Sequence, residues 1–182
     1  MSAPHRRLVL PLLGLLLAAA ILGAAGCGYS SDSKNVVEGE PVKLGDVKYN
    51  VVFSRFLNPK DTEDAAYLVG QPEPPPGETY FGVFFEVQNE SDEAHSLPDS
   101  FTIEDAFGGV YKSVPTESLY AFPLGGEVEN EEQIPVLDST PQQGPIEGAL
   151  VLFLLPDSAS ENRPLTIQVT GPEGPAEVTL DL

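Results

Sequence analysis

The chain has 182 residues, of which 28 are acidic and nine are basic, so its formal net charge is −19 at pH 7. Binding to nucleic acid relies on clustered Lys and Arg that release counterions from phosphates, and the scattered basic residues of this acidic chain exclude that class of partner. The sequence contains no tryptophan and one cysteine, Cys27. A single cysteine excludes internal disulfides and zinc sites built from several thiolates.

Residues 1–26 have the layout of an export signal. Met1–Arg7 carries two arginines and no acid, and Leu8–Ala25 is uncharged and rich in Leu and Ala. The last positions, GAAG, are small residues of the kind found at a signal cleavage site. The sequence therefore predicts that the chain is exported.

Cys27 follows this signal directly, and the sequence AAGC resembles the lipobox of bacterial lipoproteins, although Ala24 stands where that family prefers Leu. The resemblance implies cleavage before Cys27 and attachment to the membrane through a lipid on its thiol. Two alternatives stay open. One is an uncleaved anchor, because the 18 residues of Leu8–Ala25 just reach the length that spans a bilayer. The other is ordinary secretion with Cys27 discarded or left as a free thiol. In every case the basic N-terminus lies on the cytoplasmic side, so the folded part lies outside the cytoplasm.

Residues 27–44 predict a flexible tether, because positions 28–44 are rich in Gly, Ser, Asp and Glu. Without the signal, the chain keeps seven basic residues against 28 acidic ones, a formal charge of −21, which disfavours direct docking on anionic lipid. The predicted organisation is a lipoprotein signal peptide at 1–26, a lipidated N-terminus and tether at 27–44, and a folded domain at 45–182.

The first half of the folded domain contains two period-two patterns that predict strands. In DVKYNVVFSRF, four apolar residues share one parity, whereas Phe56 has the other, which indicates a bulge near Ser54–Arg55 or the end of the strand. The predicted inward residues are Val47, Tyr49, Val51 and Phe53 in this strand, and Phe81, Val83, Phe85 and Val87 in TYFGVFFEVQN. Between the two strands, the proline-rich residues 58–78 predict a long surface excursion, because proline cannot donate to a sheet.

The second half of the domain predicts shorter strands. SFTIED, the turn AFGG and VYKSV predict a hairpin, SLYAF is a further candidate strand, and residues 123–147 resemble a loop. ALVLFLL, residues 149–155, is apolar on both parities and predicts a strand buried on both faces. LTIQV and AEVTLDL predict a C-terminal hairpin. With no convincing helical pattern, seven or eight strands predict an all-β, antiparallel immunoglobulin-like sandwich.

The order of these segments is similar to that of the immunoglobulin-like extracellular domains of many Gram-positive lipoproteins, a family that resembles the mycobacterial immunoprotective extracellular protein in fold. The matching pieces are a strand ending in Asn and a polar turn at 87–92, an acid–glycine turn before a Tyr (Asp105, Gly108, Tyr111), and a late apolar strand at 148–156. The resemblance implies a fold and a surface location, and it carries over no catalytic residue.

Few residues offer chemistry. His95 has Ser91 and Ser96 nearby in sequence, but no G-x-S-x-G elbow occurs. Calcium prefers carboxylate oxygens, and acids crowd two loops, neither with the spacing of a calcium-binding loop. These acids are Asp61, Glu63 and Asp64 in the first loop and Glu127, Glu129, Glu131 and Glu132 in the second. Sugar-cleaving clefts pair carboxylates but generally need aromatic platforms, and the chain has no Trp. We therefore expect no enzyme activity, no metal and no cofactor.

Five aromatic residues do not all fit one inward face, so they either line an exposed patch or, as we favour, fill the second face and the rim of the sandwich. They are Tyr80, Phe84, Tyr111, Tyr120 and Phe122. The resulting hypothesis is a lipid-anchored, extracytoplasmic, non-enzymatic module that binds a protein or a component of the cell envelope, with Cys27 as its one assigned site. The alternative is a calcium-dependent adhesin or an accessory envelope enzyme based on carboxylates.

Overall fold

The computed structural model describes residues 34–171 and 173–181. The predicted signal peptide at 1–26, Cys27 and residues 28–33 lie outside the described residues, and what the sequence indicates for them stays a prediction. The described part contains twelve strands and two short helices. They are β1 (Asn35–Val37), β2 (Val42–Leu44), β3 (Val47–Leu57), α1 (Thr62–Tyr67), β4 (Glu78–Asn89), β5 (His95–Ser96), β6 (Thr102–Glu104), β7 (Val110–Lys112), β8 (Glu127–Val128), β9 (Gln133–Ile134), β10 (Ala149–Pro156), a 3₁₀ helix (Asp157–Ser160), β11 (Thr166–Gly171) and β12 (Gly174–Thr179).

The strands form two main sheets. Sheet A has the order β1-β12-β11-β6-β7, and sheet B has the order β10-β4-β3-β2 with β9 paired to β4 beside β10; β5 and β8 form a separate pair. Every pair of strands is antiparallel except β1 with β12. This confirms the predicted all-β antiparallel sandwich. The strand count exceeds seven or eight because several strands have only two or three residues.

The main core lies between the two sheets and is built as the alternation predicts. Phe81, Val83, Phe85 and Val87 of β4 are all buried in it, together with apolar residues of β6, β11 and β12. The ring of Phe85 lies 4.8 Å from that of Phe101, measured between centroids. Burial of these side chains is the main stabilising contribution to the fold.

A second hydrophobic cluster lies on the outer face of sheet B. Tyr80 and Phe84 of β4 and Leu150 and Leu152 of β10 are buried there, against residues of the 58–77 excursion and of the chain around Tyr120. Two-sided burial of β10, predicted from its apolar run, is therefore confirmed. Sheet B is covered on both faces over this half, which makes the domain locally three layers thick.

The excursion contains the helix that the sequence did not reveal. Asp61 caps α1, because its carboxylate accepts a hydrogen bond of 2.9 Å from the backbone N–H of Glu63. The helix has only six residues, which is too short to show an apolar periodicity. It places Tyr67, which is 1 % exposed, on the second cluster, so the excursion is packed on the sheet rather than free on the surface.

A β-bulge in β3 corrects the predicted orientation of Phe53. The register of β3 on β4 shifts between Val51 and Phe53, so that Val52 is the extra residue. The bulge lies two residues earlier than predicted, and β3 continues to Leu57. Because the shift precedes Phe53, this side chain leaves the core face and is 42 % exposed, whereas Phe56 packs against the main core.

The described part of the predicted tether is not a spacer. Residues 35–44 contribute β1 and β2, and Val36, Val42 and Leu44 are buried in the main core. Leu44 lies so close to Gly171 that a Cβ atom built on the glycine would be 2.6 Å from the Leu44 Cβ. The folded domain therefore begins about ten residues before position 45. Three-residue strands separated by glycine and acids have the composition of a linker, which explains the error.

The loop regions of the second half are also partly corrected. SLYAF forms no strand, and Ala121 makes one isolated bridge to Leu150. Residues 123–147 contain the two-residue strands β8 and β9, and the β6–β7 hairpin and the β11–β12 hairpin are confirmed.

The sandwich has two distinct ends. At the entry end, where the described chain begins, Lys34 donates a hydrogen bond of 2.8 Å to the Glu173 carbonyl in the β11–β12 turn, and Gly171 contacts Leu44 before the β2–β3 turn. At the far end lie the excursion, the β6–β7 turn and the 3₁₀ helix. The 11 residues of β3 separate the two ends by about 33 Å.

Candidate functional site

His95 and Ser91 are brought together at the entry end. The Ser91 Oγ atom lies 2.9 Å from His95 Nε2, 2.9 Å from Asn89 Oδ1 and 3.0 Å from the Glu93 carbonyl oxygen. In the part of the chain that the structure describes, no carboxylate is recorded within hydrogen-bond distance of the imidazole. The Ser91 hydroxyl also accepts from the Glu93 backbone N–H at 3.3 Å, so its contacts all lie within one turn and close that turn.

The Asn89 side chain links the turn that follows β4 to the segment at β8. It is 1 % exposed, and its side-chain amide donates to the carbonyl oxygens of Glu93 at 2.6 Å, Val128 at 3.3 Å and Glu129 at 2.9 Å. The carbonyls are consequently occupied by the amide. Within residues 34–171 and 173–181, no group of three or more His, Cys, Asp or Glu residues is placed to hold a metal ion.

Asp61, Glu63 and Asp64, the acids of the first acidic loop, stabilise α1 and its contact with β3. Asp61 is its N-cap, and Asp64, 3 % exposed, forms an ion pair with Arg55 and accepts a hydrogen bond of 2.7 Å from the Asn58 backbone N–H. Glu63 lies at the edge of the same pair, 3.4 Å from the Arg55 guanidinium. These contacts fasten the excursion to β3.

Asp105 holds the β6–β7 turn at the far end. One carboxylate oxygen accepts from the backbone N–H groups of Phe107 at 2.9 Å and Gly109 at 2.8 Å, and the other accepts from the Tyr111 hydroxyl at 2.8 Å and the Asn162 amide at 3.2 Å. The Gly109 hydrogen bond, followed by those of Tyr111, Asn162 and Phe107, lowers the pKa of Asp105 from 3.8 to about 2. The acid–glycine–Tyr pattern seen in the sequence is thus a structural device.

One surface cavity lies at the far end and is built mainly by the excursion. Its volume is about 520 Å³, within the range of small-molecule sites. The walls are largely apolar, with the polar side chains of one Lys, one Gln and one Glu at the cavity. The lining residues are Pro59, Lys60, Ala65, Leu68, Gln71, Pro72, Glu73, Pro74 and Tyr80. We call this cavity the far-end pocket.

The wall of the far-end pocket is fixed by hydrogen bonds. The Tyr80 hydroxyl donates to the Pro72 carbonyl at 3.0 Å, and the Gln71 amide donates to the Pro115 carbonyl at 2.9 Å. Burial raises the pKa of Tyr80, so its hydroxyl stays protonated as a donor near neutral pH. The proline-rich loop is therefore hydrogen-bonded both to β4 and to the segment at Pro115.

The second cavity is a shallow groove of about 190 Å³ on the half of the outer face of sheet B that the second cluster leaves open. Its lining combines charged and amide side chains with three apolar residues at its margins: Pro41, Lys48, Asn50, Glu86, Val87, Gln88, Gln133 and Ile134. We call it the sheet groove. Nothing in the period-two pattern distinguishes these outward residues from an ordinary solvated face.

Most of the five aromatic residues for which the sequence allowed either an exposed patch or a place inside the sandwich lie in the interior. Tyr80, Phe84 and Phe122 are buried. The Tyr111 hydroxyl binds Asp105, and the Tyr120 ring packs edge-on against Tyr67 with centroids 4.8 Å apart. Among residues 34–171 and 173–181, the exposed aromatic residues are Phe107, at 82 %, and Phe53, at 42 %. Nothing in the sequence marks Phe107 as exposed, and Phe53 is exposed because of the bulge.

The domain is an all-β antiparallel sandwich, and its two candidate binding surfaces lie on sheet B. The sequence matches no protein-family model, and no curated protein is similar enough to count as a relative. Among the described residues, no helix combines the length and hydropathy needed to cross a bilayer.

Solved bacterial structures nevertheless resemble the domain. The yjhA protein of Bacillus subtilis superposes with a TM-score of 0.54 at 13 % identity, over 80 % of this chain and 99 % of that chain. An uncharacterized β-sandwich protein of Clostridium difficile 630 gives 0.49 at 14 % identity, over 81 % and 93 % of the two chains. A candidate lipoprotein (ycdA) of Bacillus subtilis gives 0.48 at 10 % identity, over 79 % and 38 %. At these identities the likeness is one of fold alone.

Proposed function

We propose that this protein is a lipid-anchored, non-enzymatic binding module displayed on the outer face of a bacterial cell membrane, with a fold of the type found in the immunoglobulin-like lipoprotein domains that its sequence resembles. The export signal and the lipobox-like sequence ending at Cys27 support the anchoring. The domain contains no further cysteine, so Cys27 is the one thiol available for acylation.

The observation that carries the binding role is the far-end pocket. Neighbouring antiparallel strands such as β3 and β4 can be joined by two residues, yet here residues 58–77 intervene, far more than the strand pairing requires. They form a capped helix, a proline-rich wall and a cavity of about 520 Å³. Function commonly resides in sites that are added to a general scaffold in this way.

The position of the pocket fits presentation to the exterior. It lies at the far end, about 33 Å along β3 from the entry end. Because β1 begins at Asn35, seven residues, 28–34, connect Cys27 to the sandwich, and even fully extended they span at most about 25 Å. An acyl group on Cys27 would therefore attach the domain to the bilayer through its entry end, which is the end opposite to the pocket.

Two measurements test the proposal. The intact mass of protein extracted from membranes should correspond to a chain that begins at Cys27 and carries acyl groups; an unmodified chain or an intact leader would contradict the anchoring. For the binding role, full-length protein is used to capture components from separated lipid, glycan and protein fractions of the envelope. Ala65→Trp should fill the pocket and abolish a saturable capture that wild type shows.

Ala66→Trp is the matched control, because Ala66 is the exposed neighbour of Ala65 on α1 and does not line the pocket. It should retain what the wild type captures. Capture that Ala65→Trp leaves unchanged, or the absence of any saturable capture by wild type, would contradict a binding role for the pocket. A rise in melting temperature on adding calcium would favour the adhesin alternative.

A further inference from the structure

We propose that the sheet groove binds a neutral oligosaccharide. The proposal concerns a second site on sheet B and does not depend on what the far-end pocket binds. It rests on the arrangement of polar side chains in the groove, on the aromatic ring that the β-bulge places beside it, and on the charge of its surroundings.

The floor of the groove is a grid of polar side chains that the strand register fixes. Lys48 lies opposite Gln88, which in turn lies opposite Gln133 on the next strand, and Asn50 lies opposite Glu86. Neighbouring strands are about 4.8 Å apart and alternate residues along a strand about 6.6 Å apart. The groove therefore presents polar side chains at regular intervals both along and across the strands.

These side chains retain free hydrogen-bonding capacity. Asn50 donates one long hydrogen bond of 3.3 Å to Glu86, and its Oδ1 atom is buried with no partner among the described residues. The side chains of Gln88 and Lys48 make no hydrogen bond that the structure records within the described ranges. An amide has both donors and an acceptor, and each hydroxyl of a sugar is likewise donor and acceptor. A turn of the Asn50 amide toward a ligand hydroxyl would satisfy its orphaned oxygen, which is costly to leave buried.

Phe53 supplies the apolar surface that sugar recognition needs. The bulge at Val52 places Phe53 opposite Phe84, on the outer face of sheet B. Phe84 is two residues from Glu86 on β4, so the backbone of Phe53 lies about one 6.6 Å step from the Asn50–Glu86 pair, on the same face of the sheet and next to the residues that line the groove. Bulges beside binding sites commonly redirect a side chain in this way. The face of an aromatic ring carries partial negative charge and attracts the C–H groups of a pyranose.

The charge of the groove favours a neutral ligand. Its lining contains one cation, Lys48, and one anion, Glu86, on a protein with a formal charge of −19. An anionic glycan would meet repulsion from the surrounding acids. The groove is small, about 190 Å³, so it would hold a short part of the oligosaccharide, with the rest of the sugar chain lying along the open face.

The test is calorimetric titration of the full chain with defined hexasaccharides. The probes are cellohexaose and chitohexaose, which are neutral, and hexagalacturonate, which is anionic. The detergent must have no sugar headgroup, because such a headgroup would compete. We expect at least one neutral probe to bind saturably, with a Kd between about 10 µM and 1 mM, and hexagalacturonate to bind at least about tenfold more weakly.

Two variants locate the site, each with a matched control. Phe53→Ala and Gln88→Ala should each weaken binding by about tenfold or more. Phe107→Ala and Gln168→Ala, which remove an exposed ring and a strand amide elsewhere, should stay within about twofold of wild type. Unchanged melting temperatures confirm that the variants are folded. The proposal is overturned if neither neutral probe binds, if the anionic probe binds as tightly, or if Phe53→Ala and Gln88→Ala leave binding unchanged.

Discussion

Replacing Tyr67 with Ala tests whether the excursion is an integral third layer of the domain. Tyr67 is 1 % exposed, and its ring packs edge-on against Phe84, with centroids 5.1 Å apart, and against Tyr120 at 4.8 Å. The variant removes the ring that joins α1 to sheet B. If the second cluster unfolds together with the main core, the whole domain loses stability.

The magnitude follows from the buried ring. A fully buried Tyr removes about 150–250 Å² from water, which at about 25 cal/mol per Å² gives an upper value of roughly 4–6 kcal/mol. Measured losses for large aromatic residues replaced by Ala are about 3–5 kcal/mol. We therefore expect Tyr67→Ala to lower the free energy of unfolding by about 4 kcal/mol. For a domain of this size each 1 kcal/mol shifts Tm by about 2–4 °C, so Tm should fall by about 8–16 °C.

The assay is thermal and urea denaturation followed by circular dichroism. Leu119→Ala is the control, because Leu119 is a large apolar residue near the same region but is 78 % exposed; its change should stay within about 0.5 kcal/mol. A Tm for Tyr67→Ala within about 2 °C of wild type would show that the excursion unfolds independently of the sandwich. The far-end pocket would then rest on a loosely attached segment, and the argument for a rigid site would fail.

Three further predictions concern the two ends of the sandwich. The pKa of Asp105 is about 2 in the folded protein and 3.8 without its partners. Its contribution to stability is therefore full above about pH 4 and is lost as the pH falls toward 2. A plot of Tm against pH should be flatter over this interval for Asp105→Asn than for wild type or for the exposed control Asp92→Asn. Asn89→Ala removes the amide that donates to three carbonyl oxygens, so we expect the free energy of unfolding to fall by about 1–3 kcal/mol. A Glu-specific protease should also cleave the variant after Glu129 faster than it cleaves wild type, and equal cleavage rates would contradict this role of Asn89. Gly171→Ala would place a Cβ 2.6 Å from that of Leu44; urea denaturation should show a loss of about 1–3 kcal/mol, and an unchanged midpoint would refute the close approach of the sheets.

The fold class could be predicted because alternation in β4 and the apolar run of β10 reflect burial directly. The same rule failed at Phe53 for a definite reason. A bulge inserts one residue into one strand only, and neither Val52 nor its neighbours differ in type from residues of a regular strand. Parity counted from the sequence is therefore correct up to the bulge and inverted after it. The exposed ring that supports the sheet groove could be found only in three dimensions.

The candidate sites escaped prediction for a related reason. The far-end pocket joins Ala65 and Leu68 of the excursion to Tyr80 of β4, and the composition of a proline-rich segment does not show what it packs against. The sheet groove depends on Gln133 of β9 lying beside Gln88, a pairing between segments more than 40 residues apart. The Asp105 turn, by contrast, was visible, because its partners Gly109 and Tyr111 are local in sequence.

The second cluster divides the outer face of sheet B and thereby makes the two proposed sites separable. The far-end pocket is built on the covered half, whereas the sheet groove occupies the half that the excursion leaves open. A side chain that fills the pocket, as in Ala65→Trp, is held on α1 and should leave hexasaccharide affinity within about twofold of wild type. Gln88→Ala should conversely leave the capture through the pocket unchanged. If either variant abolished both activities, the two cavities would be parts of one binding surface, and the covering layer would be a support for that surface and not a boundary between sites.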